Sequence, residues 1–209
     1  MRYIEKMPEP VRFTEWKNAA NDDWVPSFDN MASDVKEKLK ASLIKEQRGI
    51  CCYCESKLIK NDSHIEHFRP QERFQELSLD YNNLFCSCQS NLKKGDPRHC
   101  GNAKGEWFDE ELLISPLSPD CASHFCYTAD GHVFPANSTD AAAKETIKRL
   151  ALDCPKLVDS RKAVLEHFLD DSISDEEALL FINKTIESAS AENPQSFISA
   201  ILSVFGKTP

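Results

Sequence analysis

His64-Ile65-Glu66-His67-Phe68-Arg69-Pro70 is the run that decides how this chain folds, because it sets a carboxylate beside a histidine in a strand-forming segment that a proline ends. Ile65 and Phe68 favour extended backbone, and Pro70, which has no N–H for a ladder, marks the end of the strand at an edge. Successive side chains of a strand point to opposite faces, so His64 and Glu66 share one face and His67 takes the other. A bulge or the strand end would bring Glu66 and His67 to one ion, a step that spacing alone does not supply. Upstream stands Cys51-Cys52-Tyr53-Cys54; downstream stand Tyr81-Asn82-Asn83-Leu84-Phe85, then Cys88, then Cys100-Gly101-Asn102-Ala103-Lys104. Taken in order, two cysteine half-sites bracket a histidine flanked by a carboxylate.

The chain holds nine cysteines, and its first ten residues mix charge with proline and carry no apolar core of signal-peptide length. A cytoplasmic protein is the expectation, in whose reducing surroundings cysteines serve as metal ligands and buried thiols before disulfides. Two thiolates separated by two residues, as Cys51 and Cys54 are, form one half of a tetrahedral zinc site. Residues 50–58 read as a zinc knuckle, with Cys52 turned away as a buried thiol. The second half is less regular, since eleven residues separate Cys88 from Cys100 and Cys86 competes with Cys88. Cys121, Cys126 and Cys154 lie outside the pattern and read as core. A unit this small buries little surface, so the ion would substitute for a core.

The 209 residues, 41% apolar and 28% charged, suit one elaborated soluble domain or two small ones. No apolar run approaches the roughly 20 residues that span a bilayer, so no membrane is expected. The net charge of -9 argues against coating nucleic acid by charge alone. Residues 45–104 hold 10 Lys and Arg against 8 Asp and Glu, leaving 15 against 26 elsewhere, so the acid lies outside the candidate site. Three parts are expected. Residues 1–46 form an irregular, aromatic-bearing arm and then an amphipathic helix over 33–47 with Val35, Leu39 and Leu43 on one face and Gly49 past its end. Residues 47–108 form the metal core, with a second strand over 83–86. Residues 109–209 form a hairpin turning at Asp130-Gly131 and then helices, with a capping box at Ser174 and Glu177 and a last helix opening at Asn193-Pro194.

On the residues quoted above, the stretch 47–104 resembles the HNH endonucleases. The resemblance implies an α+β fold, a zinc-stapled ββα-metal (His-Me finger) core with an N-terminal helix and a mostly α-helical C-terminal region. By that resemblance His67 is the general base, suited by an imidazole that titrates near neutrality, and Glu66 is a ligand of a catalytic Mg2+ or Mn2+ ion. Asn83 falls on the central asparagine, expected to hold the base or its loop in register without touching metal. Cys88 lies five residues beyond Asn83, as the family's zinc ligand does, which favours it over Cys86. Cys100 is the fourth ligand of the structural zinc, with Cys51, Cys54 and Cys88. The chain departs from the family where Gly101 replaces the usual Asn or His; Asn102 is then the expected second ligand of the catalytic metal, with His64 and His99 as alternatives. Arg69, Lys93, Lys94 and Lys104 are candidate phosphate contacts on the nucleic acid.

The opening Met1-Arg2-x-Ile4-x-Lys6, Cys51 to Glu55, the His64 run, Cys100 to Lys104, and Thr146-Ile147 before Leu150 resemble one subgroup more closely. That subgroup is the HNH nuclease subunit of Septu-type anti-phage systems, including those linked to retrons. It implies cleavage of DNA, with RNA open, beside an ATPase subunit, and a homodimer within a larger complex is compatible with it. The chain has no GxxxxGK loop, so nucleotide sensing is expected in the partner, docked on the arm and the acidic tail over residues 139–209. Two other classes compete: a zinc-stapled binding module, which has no need of Glu66 beside His67, and a metal enzyme acting on a substrate without phosphate.

Overall fold

The computed structural model describes residues 1–169 and 174–206; residues 170–173 and 207–209, which the tail expectation includes, lie outside them. Among the described residues the chain is a mixed α/β structure of seven α-helices and two small antiparallel sheets. Helix α2 (Ser33–Glu46) follows from its sequence period, since Val35, Leu39 and Leu43 are fully buried. Gly49 ends it with φ +76°, and its N–H reaches the Ile44 carbonyl at 2.9 Å. A Cβ there would also stand 3.0 Å from Ala191 O and from Pro194, so glycine serves the turn and the close approach together.

Strand β1 (Ser63–His67) pairs antiparallel with β2 (Leu84–Cys88) in a regular register from Ser63 opposite Cys88 to His67 opposite Leu84. The second strand begins one residue later than the sequence predicts and runs two further. Asn83 is instead taken into a tight 3-10 turn, Tyr81–Asn83, whose start is capped by the Asp80 side chain accepting from Asn82 N. The outer edge of β2 is closed by Gln47, whose amide accepts from Cys86 N at 2.7 Å and donates to Cys86 O at 2.8 Å, pairing as a further strand would. After the sheet comes the short helix α3 (Gly101–Lys104).

The arm is irregular over residues 1–10 and 19–32, but not throughout. It contains helix α1 (Val11–Asn18), which starts behind Pro10 and turns Phe13 and Trp16 into the core. Phe13 and Trp16, two of the arm's aromatics, form the buried face of this helix, one turn apart.

The expected hairpin is present as β3 (Phe125–Tyr127) and β4 (Val133–Pro135), with Gly131 at φ +94° in its turn. Helices α4 (Ala141–Arg149), α5 (Pro155–Leu165), α6 (Asp175–Ser188) and α7 (Ile198–Val204) follow. Buried Arg161 of α5 donates to Gly131 O at 2.6 Å and Leu152 O at 2.8 Å, fastening the hairpin turn to the helix. The capping box of α6 forms as read, Ser174 and Glu177 each accepting from the other's N–H. Helix α7 starts later than Asn193-Pro194 because Phe197 adopts φ +58°, a left-handed position that breaks any earlier turn.

Apolar residues from Met1 through Leu157 form one core, and Leu165, Phe168, Ile182, Phe197, Ala200 and Ile201 form a smaller one. Glu55, within the knuckle, joins them. Its carboxylate lies 2.9 Å from the Met1 ammonium and accepts from Ser199 N at 2.9 Å, and its carbonyl accepts from Phe197 N at 3.1 Å. Burial alone would raise this carboxyl, but the ammonium and the α7 backbone hold it below the usual carboxylate range. Removing one partner of such a pair strands the other charge, so Glu55→Ala should cost on the order of 3–5 kcal/mol in urea unfolding. A loss under about 1 kcal/mol would mean that the pair does no more than a surface one. The folded carboxyl titrates below the unfolded one, so this contribution is present above the ordinary carboxylate value and fades as pH falls through the lowered one.

Candidate functional site

Cys51, Cys54, Cys88 and Cys100 form a buried cluster whose sulfurs all lie within 4.8 Å of one another, a set able to hold a metal ion such as zinc. The knuckle brings the first two together: Ile50 bridges to Lys57, and Cys51 N donates to Ser56 O at 2.8 Å. Cys88 is the last residue of β2, and Cys100, at φ +56°, precedes α3 with its N–H on Leu150 O at 2.8 Å. The Cys54 and Cys88 sulfurs are 3.7 Å apart. Four thiolates about 2.3 Å from one ion would stand about 3.8 Å apart, so this edge already has tetrahedral length.

Burial raises the Cys51 and Cys54 thiols, yet hydrogen bonds from neighbouring sulfurs bring both down, Cys54 to about 6, while Cys88 and Cys100 are driven up. Such a set cannot ionise fully unless a cation supplies the opposite charge, which is how thiolate zinc sites behave. Cys86 is buried in the sheet opposite Ile65 and outside the cluster, with burial pushing its thiol up to about 12. Cys52 is also a buried, raised thiol.

Beside this cluster lies a cavity of about 450 Å³ lined by Asp29, Glu66, His67, Gly101, Lys104 and Glu106 among others. Glu66 is 7% exposed. One carboxylate oxygen accepts from Lys104 Nζ at 3.0 Å and Tyr53 OH at 3.2 Å, and the other lies 3.4 Å from His64 Nε2. Burial raises the carboxyl, and His64 and Lys104 overrule it, so Glu66 stays ionised below the usual carboxylate range. The glycine at position 101 is sterically required: a Cβ there would stand 2.2 Å from Glu66 Oε2 and 3.0 Å from His64 Nε2.

His67 closes the strand, with no bulge between it and Glu66, and both line the cavity at the strand end. Its Nε2 meets Ser78 O at 3.0 Å. A carbonyl only accepts, so Nε2 carries the proton and Nδ1 is left as the acceptor. Phe28 packs edge-on against the ring at a centroid distance of 4.5 Å, and burial depresses the imidazole below its ordinary 6.5. Asn83 accepts from Arg69 N at 2.8 Å and donates to Arg69 O and Leu77 O, tying the segment after β1 to the turn before β2.

The cavity thus gathers Glu66, His67, Gly101 and Lys104, with His64 on the Glu66 carboxylate. It does not gather Asn102, which donates to Gln89 O, or His99, which lies at the cysteine cluster with Nδ1 3.3 Å from Cys100 Sγ. Lys104, expected at phosphates, is buried and spends its ammonium on Glu66, His67 O and Phe68 O. Arg69 pairs with Glu110 at 2.7 Å, and Lys93 and Lys94 stand exposed in the turn over residues 91–98. Sequence reasoning missed Tyr53, read only as a spacer between two ligands, and Phe28 and Asp29, read only as part of the arm.

No family model matches the chain. It is similar to "Retron Vc95 putative HNH endonuclease" of Vibrio cholerae serotype O1 biovar El Tor, 32% identical over 143 residues that cover 65% of this chain and 67% of that protein. It is also similar to "Retron Ec83 putative HNH endonuclease" of Escherichia coli, 23% identical over 207 residues and 80% of each chain.

The cluster predicts about one zinc per chain that survives mild chelation. Cys88→Ser should lower zinc content and solubility, while Cys86→Ser leaves the zinc in place; the reverse pattern in metal analysis would move the ligand to Cys86.

Proposed function

We propose, for a chain that belongs to the HNH endonuclease family, that the cavity at the end of β1 hydrolyses phosphodiester bonds of nucleic acid, with DNA as the substrate, in a reaction that needs Mg2+ or Mn2+. The observation that carries this reading is the pair at the strand end, an ionised carboxylate and an imidazole whose tautomer leaves one nitrogen free to take a proton. In this reading a structural zinc fills the cysteine cluster and the stapled hairpin acts as a ββα-metal core.

His67 Nδ1 removes a proton from the attacking water, and the Ser78 carbonyl holds the ring and stabilises the imidazolium that forms. Glu66 Oε2 and His64 Nε2 lie 3.4 Å apart and would hold the divalent ion together, which makes His64 a better-placed second ligand than Asn102, whose amide donates to Gln89 O. The divalent ion would offset charge growing on the phosphate oxygens and the leaving group. Lys104 acts on the carboxylate instead of the phosphate, holding Oε1 so that Oε2 faces the ion site. Asn83 keeps the segment that follows His67 in register.

A defence role beside an ATPase is the wider reading, supported by the relatives' retron names and by the N-terminal, tail and motif resemblances. The surface that suits docking is on α6, where Leu180 and Phe181 are 70% and 52% exposed. Replacing both by Asp should abolish co-purification with the ATPase while zinc content stays unchanged; retained co-purification would place docking elsewhere.

His67→Ala should lower plasmid cleavage by on the order of 10²–10⁴ with fold and zinc intact. Glu66→Ala should weaken the dependence on Mg2+ or Mn2+. A base works unprotonated, and the lowered imidazole value keeps it so through neutrality, so cleavage should decline only on the acid side of 6.5. Undiminished cleavage by a folded His67→Ala protein would sink the reading.

A further inference from the structure

A second cavity, of about 470 Å³, opens on β1 and is lined by Phe28, Met31, Lys36, Lys40, His64 and Ser90 among others. Ile65 lines this cavity and the first one as well, so one strand is their common wall. Two contacts bridge them: Phe28 against the His67 ring at 4.5 Å, and His64 Nε2 against Glu66 Oε2 at 3.4 Å. A long ligand reacting at His67 therefore has a way onward across β1 into the second space.

The two spaces differ in charge. The first is bordered by Asp29, Glu66, Glu72 and Glu106 against Lys104, which is already paired with Glu66. The second offers Lys36, Lys40 and His64 against Glu37. Lys40 is committed, its ammonium donating to the carbonyls of Lys60 and Ser63. Lys36 is exposed, and its ammonium sits 4.7 Å over the Phe28 ring; among the described residues no carboxylate lies within ion-pair distance of it.

A polynucleotide is a chain of evenly spaced anions, so a strand with its scissile phosphate at Glu66 and His67 must set a neighbouring phosphate a few ångströms further on. We propose that Lys36 is a phosphate contact for a DNA strand lying across β1, with Phe28 supporting both its ammonium and the His67 ring. The identity of the ligand rests on the nuclease reading above. Lys36 takes the place that the sequence assigned to Lys104, and unlike Lys93 and Lys94 it adjoins the reactive pair.

The test is fluorescence anisotropy of a short labelled oligothymidylate with the full chain in EDTA, titrated from low to physiological salt. Lys36→Ala should weaken binding about three- to tenfold and reduce the slope of log affinity against log salt by about 0.7, the contribution of one phosphate contact to single-stranded DNA. Lys36→Arg should restore both, and Lys38→Ala, two positions along α2 and so on its opposite side, should match the parent chain. An unchanged slope in Lys36→Ala, an equal loss in Lys38→Ala, or no binding by the parent chain at low salt would overturn the proposal. In Mn2+ cleavage assays Lys36→Ala should raise KM and spare kcat. A parent chain that binds but does not cleave would refute the nuclease reading alone, since the anisotropy result still decides Lys36.

Discussion

Four sulfurs held within 4.8 Å of one another in the interior are the constraint on which the rest of this structure depends. Each belongs to a different piece of backbone geometry: the two ends of the knuckle, the last residue of β2, and the left-handed residue ahead of α3. Two of the three side chains that contact the Glu66 carboxylate, and the glycine that leaves room for it, lie within four residues of these cysteines. Tyr53 lies between Cys51 and Cys54, and Gly101 and Lys104 follow Cys100 within the four residues of α3. The backbone that gathers the sulfurs therefore also places the groups around the Glu66 carboxylate.

The arrangement is costly without its counterions. Glu66, Lys104 and Glu55 are buried charges, and each persists only because its partner is also fixed. Glu55 extends the same logic to the ends of the described fold, drawing the Met1 ammonium and α7 onto the knuckle. Buried charge pairs thus join α3 to β1 and the Met1 ammonium to the knuckle.

Much of this was legible in the sequence, and for identifiable reasons. Helix α2 was read from a four-residue apolar period, the α6 cap from Ser174 and Glu177, and the gathering of the four cysteines from spacing together with family register. The strand alternation correctly put His64 and Glu66 on one face. What was lost depended on distance in space. Helix α1 was hidden because eight residues with two prolines nearby give too short a period to count. Lys104 looked like a phosphate ligand because a lysine beside a nuclease motif is most often exposed, and only the fold shows it buried on Glu66. Gly101 looked like a loss of a ligand; the structure shows it as the space that Glu66 and His64 occupy.

That last position gives the sharpest test of the account. Gly101→Ala adds one methyl group where Glu66 Oε2 already stands 2.2 Å from the Cβ position, and leaves every cysteine and His67 untouched. Metal analysis and plasmid cleavage in Mn2+ should be measured on the same preparation. The account predicts about one zinc per chain and a cleavage rate reduced on the order of a hundredfold, the usual consequence of displacing a reacting group by about an ångström. Zinc retained with undiminished cleavage would contradict it, because the carboxylate held against Gly101 would then have no part in the reaction.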